Sequence, residues 1–175
     1  YSSDEFCVTT LRPATVCGYS RRQRLDVVVN IFANLAYHNR EISVFGGEQV
    51  RPNIHIKDMV GAYVRILGAQ VEQVNGRIFN VGLENHSVSE LAEIVKSVIG
   101  NDVALQSSPT NDPRSYRISS ELLAAALGFR ASRPVRDAVV DLQNAFTRGL
   151  LPNSLTDDRY FNIQRMQKFS EGRNW

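Results

Sequence analysis

An α/β fold is predicted by three features of the sequence. Short β-branched runs alternate with stretches of helical periodicity. The helical stretches carry start and stop signals, most clearly Ser87 followed by Glu90 and then by Gly100. The 175 residues, 43% hydrophobic and 22% charged, suffice for one sizeable core and exclude a disordered or coiled-coil chain. The strands are short and widely separated and make a thin sheet, as half of a larger fold would.

Taken in order, Phe6–Val16 (FCVTTLRPATV) is dense in β-branched and apolar residues and is expected as a buried strand, with Pro13 near its end. Gly18, Tyr19 and Ser20 form a turn. In Leu25–Asn39, Leu25, Val28, Val29, Phe32, Leu35 and Ala36 recur at helical spacing, and Asp26 is placed in the first turn, where a carboxylate suits the positive helix end. A strand follows at Ile42–Phe45, then a glycine turn at Gly46-Gly47, one exposed arginine, Arg51, and a short strand at Asn53–Ile56. A helix starting near Lys57 or Asp58 runs to about Ala69, and Arg77–Val81 is a strand ending at Gly82. Ser87 and Glu90 form a capping box for Val88–Ile99. Val103–Gln106 is a strand, and Ser107–Pro113 is a polar loop leading to Arg114, Tyr116 and Arg117. Ser119 or Ser120 caps Glu121–Leu127, which Gly128 stops. Pro134 opens Val135–Arg148, and a weak helix, Ile163–Phe169, lies in the tail from Pro152 to Trp175.

A formal net charge of +2, with only Arg21, Arg22 and Arg24 clustered, gives no argument for nucleic acid. Cys7 and Cys17 are too few to staple the chain and read as reduced, buried cysteines of a cytoplasmic protein. No run approaches a membrane span and no signal peptide is visible. The start, YSSDEF, leads straight into a strand, which creates the expectation of a piece of a longer protein.

Read by residue type, the chemistry is modest. His38, His55 and His86 share no metal spacing. His55 alternates with Ile54 and Ile56 and is expected to point away from the layer that buries them, as a structural or surface histidine rather than a catalytic one. Asp58 reads as a helix N-cap before an acid catalyst. Asp157-Asp158 is a lone acidic pair. There remain arginines beside turns, Arg51, Arg114 and Arg117, with Asn30 on the first helix, a set able to hold two phosphates. Surface turns with solvated arginines, or arginines paired to Glu48 or Asp112, are the alternative.

The segments LRPATVCGYS with LDVVVN, VFGGEQVRPNIHIKDMV, FNVGLENHSVSELAEIV and DPRSYRISSELLAAALGF, in this order, resemble the C-terminal half of the NAD-dependent epimerase/dehydratase family. These are the extended short-chain dehydrogenases acting on nucleotide-sugars. The resemblance covers roughly Phe6 to Gly149. It implies an α/β fold made of the C-terminal part of a dinucleotide-binding, Rossmann-like domain plus a small substrate-binding domain. Residues 1–41 would be the C-terminal elements of the dinucleotide-binding domain, 42–151 the nucleotide-sugar region with some elements returning to the main sheet, and 152–175 the tail. Pro13, Ala14 and Thr15 match positions lining the nicotinamide end of NAD or NADP. Asn30 matches the asparagine near the sugar and diphosphate, and Val44 and Phe45 the cover over the base. Arg51 and Arg114 match the two diphosphate arginines, and Arg117 matches less closely. His55 and Asp58 match positions with a structural role.

The sequence departs from that pattern at Pro52-Asn53, where relatives carry an aspartate and an aromatic, and at VCGYS, where tyrosine-glycine-proline is commoner. Neither the glycine-rich fingerprint for the pyrophosphate nor the tyrosine-x-x-x-lysine pair occurs in the chain. Tyr1 is followed four residues on by Glu5. No catalytic residue is therefore assigned. The resemblance implies an enzyme in the full-length protein, inactive as this isolated chain. The other reading is a catalytically inactive nucleotide-sugar-binding or structural fragment. Implied partners are a nucleotide-sugar, the chain's own N-terminal half or a second chain supplying it, and a second copy in a homodimer.

Overall fold

The structure is a computed structural model and describes residues 6–171. Expectations placed on Tyr1 and Glu5 and on the end of the 152–175 tail lie outside the described residues. The chain order is β1 (Thr10–Pro13), β2 (Thr15–Cys17), α1 (Val28–Asn39), β3 (Glu41–Phe45), β4 (Val50–His55), α2 (Ile56–Leu67), α3 (Val71–Val74), β5 (Ile78–Val81), β6 (Glu84–Ser87), α4 (Val88–Ile99), β7 (Ala104–Ser108), α5 (Glu121–Leu127), α6 (Val135–Thr147) and α7 (Asn162–Glu171).

The expected long buried strand at Phe6–Val16 is two strands with different partners. β1 pairs in parallel with β5, and β2 in parallel with β4. The change falls at Pro13, which has no N–H to carry a ladder onward; Ala14 donates to the Val81 carbonyl at 2.8 Å before the chain turns to β4. β1 is also mostly exposed rather than buried. Its Leu11 lines an apolar groove of about 540 Å³ with Tyr63, Leu67 and Val71. β6, which residue pattern does not reveal, pairs antiparallel with β4 and completes a three-stranded sheet β2-β4-β6. β3 pairs in parallel with β7.

Two apolar cores follow. In one, α1, α4 and α6 pack together over β3 through Val29, Phe32, Leu91, Val95, Val139 and Leu142. In the other, Phe79 and Val81 of β5 meet Ala14, Ile54, Met59 and Leu123. α4 starts as expected: Ser87 Oγ accepts from the Glu90 N–H at 3.2 Å and Glu90 Oε2 from the Ser87 N–H at 2.7 Å. α1 starts later than its periodicity suggests. Asp26 lies before it, not in its first turn, and accepts from the Asn162 N–H at 3.0 Å. Leu25 is buried all the same, because its N–H donates to Tyr160 and the tail covers it. A buried Asn34–Ser154 pair, bonded at 2.7 and 2.9 Å, fastens that tail to α1. Cys17 is buried, donates to the Ile54 carbonyl, and its thiol is pushed up to about 12, first by burial and then by Glu84. Cys7 is exposed, contrary to expectation.

Candidate functional site

β4 supplies the rigid base of the site. Its last residue, His55, is 1% exposed rather than at the surface, and caps α2 itself: Nδ1 accepts from the Lys57 N–H at 3.1 Å. The ring hydrogen therefore sits on Nε2, 3.4 Å from Asp141 Oδ2, an ion-pair distance without hydrogen-bond alignment. Asp58 is consequently not the cap. It is a buried acceptor for the Ser132 and Arg133 N–H groups at 2.9 and 2.7 Å and for Arg133 Nη1 at 2.7 Å. Burial opposes its ionisation, but those bonds outweigh burial and hold its pKa below the ordinary value. Both residues are structural.

Burial holds the His55 pKa below the ordinary histidine value, against the pull of Asp141. The unfolded chain then binds the proton more readily than the folded one. The stability contributed by neutral His55 is full above about pH 6.5 and is lost as pH falls from there through the folded value. Asp58 acts in the same direction at lower pH: its contribution is full above about pH 4 and is lost as the carboxylate protonates. Urea titrations at stepped pH should show stability falling below about pH 6.5, with His55→Gln flattening that first limb. An unchanged limb in the variant would assign it to another group.

At the other end of β4, the turn at Gly46-Gly47 needs glycine at both places. Their φ values are +78° and +144°, and a Cβ on Gly46 would stand 2.5 Å from Thr110 Cγ2. Gln49 closes the turn, accepting from the Gly47 N–H and donating to the Phe45 carbonyl, each at 2.7 Å. The loop after β7 lies across it: Gly46 donates to Ser108, and Val50 to Ser115 Oγ at 3.0 Å. This brings the two predicted diphosphate arginines onto one carboxylate. Arg51 Nη2 donates to Asp112 Oδ2 at 3.0 Å, and Arg114 donates through Nε and Nη2 to Asp112 at 2.7 Å each. Arg51 also donates to the Arg114 carbonyl. Arg51 is not the exposed arginine expected; its side chain is 16% exposed, against 78% for Arg114. Bonds from the Arg114 side chain and backbone hold the Asp112 carboxyl well below its usual range. In the sequence Asp112 is one of two alternative carboxylate partners, and no residue pattern raises it above Glu48. Two cations share one anion, and the excess is positive.

The remaining predicted positions fall in two places. Phe45 is 60% exposed beside the turn, while the Val44 side chain is buried in the first core, so only Phe45 offers a face to a ligand. Arg117 is exposed and makes no hydrogen bond or ion pair among the described residues. Pro13, Ala14, Thr15 and Asn30 line one cleft of about 510 Å³ between β2 and α1. Within it, Asn30 is buried and bonded at both ends to the 18–24 loop. The strands behind the cleft and Arg51 are neighbours: Thr15 is the register partner of Asn53, two residues after Arg51.

A sequence model of the NAD-dependent epimerase/dehydratase family matches residues 1–82. Among solved structures, Pal from Bacillus thuringiensis is similar at 23% identity and a TM-score of 0.70, over 83% of this chain and 47% of that one. A UDP-glucose 4-epimerase from Thermotoga maritima with UDP-glucose is similar at 24% identity and a TM-score of 0.68, over 80% and 46%. A UDP-glucuronic acid 4-epimerase from Bacillus cereus, in complex with UDP-glucuronic acid and NAD, is similar at 17% identity and a TM-score of 0.71, over 82% and 46%. The chain thus spans about half the length of the solved structures it matches. The likeness shows the fold, the Rossmann-like α/β fold of the epimerases and dehydratases. Among the described residues no helix is long and apolar enough to cross a membrane.

Proposed function

We propose that this chain, with its epimerase/dehydratase fold, is the substrate-side portion of an NAD(P)-dependent nucleotide-sugar epimerase or dehydratase. The observation that carries the reading is the convergence of Arg51 and Arg114 on Asp112 beside the Gly46-Gly47 turn. A diphosphate offers more acceptor oxygens and more charge than one carboxylate, and the guanidinium fork suits its geometry. Phe45 would cover the base, with Val44 contributing backbone, and Arg117 is a cation on the same loop with no ion pair among the described residues. Pro13, Ala14 and Thr15 would hold the nicotinamide end of NAD or NADP. The bound dinucleotide would supply transient hydride transfer at the sugar ring. Asn30 would act from the cleft wall through the loop it braces.

On this reading residues 1–41 belong to the dinucleotide-binding part, 42–151 to the nucleotide-sugar region and 152–175 to a tail. The groups that move protons would come from the protein's N-terminal half or from a second chain supplying it, in a cytoplasmic homodimer. The isolated chain would be inactive. Calorimetric titration of the full-length protein with UDP-, CDP- and GDP-sugars tests the reading and identifies the base. Binding in one series is expected; no binding in any of the three would overturn it.

A further inference from the structure

The loop between β2 and α1 is braced by two buried amides. Gln23 donates to the Gly18 and Arg24 carbonyls at 3.3 and 3.1 Å and accepts from the Ser20 N–H at 2.9 Å. Asn30 accepts from the Gly18 N–H at 3.0 Å and donates to the Arg24 carbonyl at 2.8 Å. Ser20 Oγ donates to the Arg22 carbonyl at 2.9 Å. Both amides bond the loop, so it is ordered before any ligand arrives.

What the loop presents is charge. Arg22 and Arg24 both line the cleft that holds Pro13, Ala14 and Thr15, and no carboxylate lines it among the described residues. Arg24 is tied to Asp26. Arg22 is exposed and has no hydrogen bond or ion pair to its side chain among the described residues. The cleft wall thus carries a guanidinium with no internal partner, on a loop whose geometry is fixed by its own hydrogen bonds. Such an arrangement binds an oxyanion at little ordering cost.

We infer that Arg22 recognises a carboxylate carried by the sugar of the ligand, making the cleft selective for acidic over neutral sugars. The inference rests on the nucleotide-sugar reading above. Arg51 lies on β4, whose Asn53 is the register partner of Thr15, and Thr15 and Arg22 line the same cleft; on that reading the glycosyl group of a diphosphate-bound ligand enters this cleft. The pyrophosphate of NAD or NADP is the other oxyanion that could reach this wall.

The test is calorimetry on the full-length protein with two matched pairs, UDP-glucose with UDP-glucuronate and GDP-mannose with GDP-mannuronate, and with NAD and NADP. Wild type, Arg22→Ala and Arg51→Ala are compared. In whichever pair binds, the acid should bind about tenfold or more tightly than the neutral sugar, the scale of one charge-assisted bond. Arg22→Ala should erase that preference, whereas Arg51→Ala should weaken both sugars and keep their ratio. Equal affinities of acid and neutral sugar in wild type would overturn the inference. So would an Arg22→Ala effect confined to NAD and NADP. In either case a loss on Arg51→Ala would leave the nucleotide-sugar reading standing. No binding of either pair, nor of CDP-sugars, would overturn both. Arg22→Ala breaks no side-chain bond among the described residues, and an unchanged melting temperature would certify the variant.

Discussion

Replacing Arg51 with alanine is expected to weaken nucleotide-sugar binding by about 2–5 kcal/mol, the scale for truncating one partner of a desolvated charge pair, with NAD binding nearly unchanged. The arginine leaves a strand whose following residues, Pro52 to His55, are all buried, so its guanidinium is delivered from an immobile base. Its side chain is mostly covered, which strengthens its attraction for an anion relative to a solvated arginine. The structure also gives weight to the competing reading, because Arg51 does tie down the 112–114 loop through Asp112 and the Arg114 carbonyl. The two readings separate by measurement. A loop-tying arginine costs stability on removal and leaves affinity alone. A diphosphate arginine loses affinity, while Asp112 keeps its bonds to Arg114 and its folded contacts change little. Titration and a urea melt on the same variant decide it. Unchanged affinity for UDP-, CDP- and GDP-sugars beside a lowered melt midpoint would end the diphosphate role.

Phe79→Ala should destabilise the fold by about 3–5 kcal/mol. Phe79 is fully buried at the centre of β5, and β5 is the strand that holds β1 in register, Leu11 opposite Phe79 and Pro13 opposite Val81. Deleting the ring leaves a cavity between Ile54, Met59 and Leu123, elements from three parts of the chain that cannot all close in. Against the roughly 5–15 kcal/mol that holds a domain together, the loss shifts the urea midpoint far. Phe79→Leu, which keeps most of the volume, should cost much less. A change of under about 1 kcal/mol for the alanine variant would mean that this second core contributes little to stability. The prediction bears on function because the same strand supports the floor of the cleft at Pro13 and Ala14.

What could be read from the sequence had its cause within a few residues. The capping box of α4 is closed by groups three positions apart, and Gly128 stops α5 because it takes φ +65°. Pro134 precedes α6, and Gly46-Gly47 turns, for similarly local reasons. The arginines at 51 and 114 could be named from type and position. Their meeting could not be foreseen, because it depends on the loop after β7 folding across β4, residues more than sixty positions apart.

The errors have the same source. Alternation around His55 turns it away from the layer of Ile54 and leaves a structural and a surface role open; only α6, with Asp141 facing the ring, makes it the buried, structural one. Asp26 sits where a helix-start carboxylate belongs, but the tail recruits it to bond Asn162. The strand at Phe6–Val16 reads as one because its residues are uniformly β-forming, and it divides because β5 and β4 offer it different partners in succession. Composition, periodicity and turn chemistry determined the class of fold, most helix limits and the residue types of the arginine pair. Tertiary structure alone decided which strands pair, which polar groups are buried and which arginine is left unspent at the cleft, since each depends on contacts that local backbone energetics cannot encode.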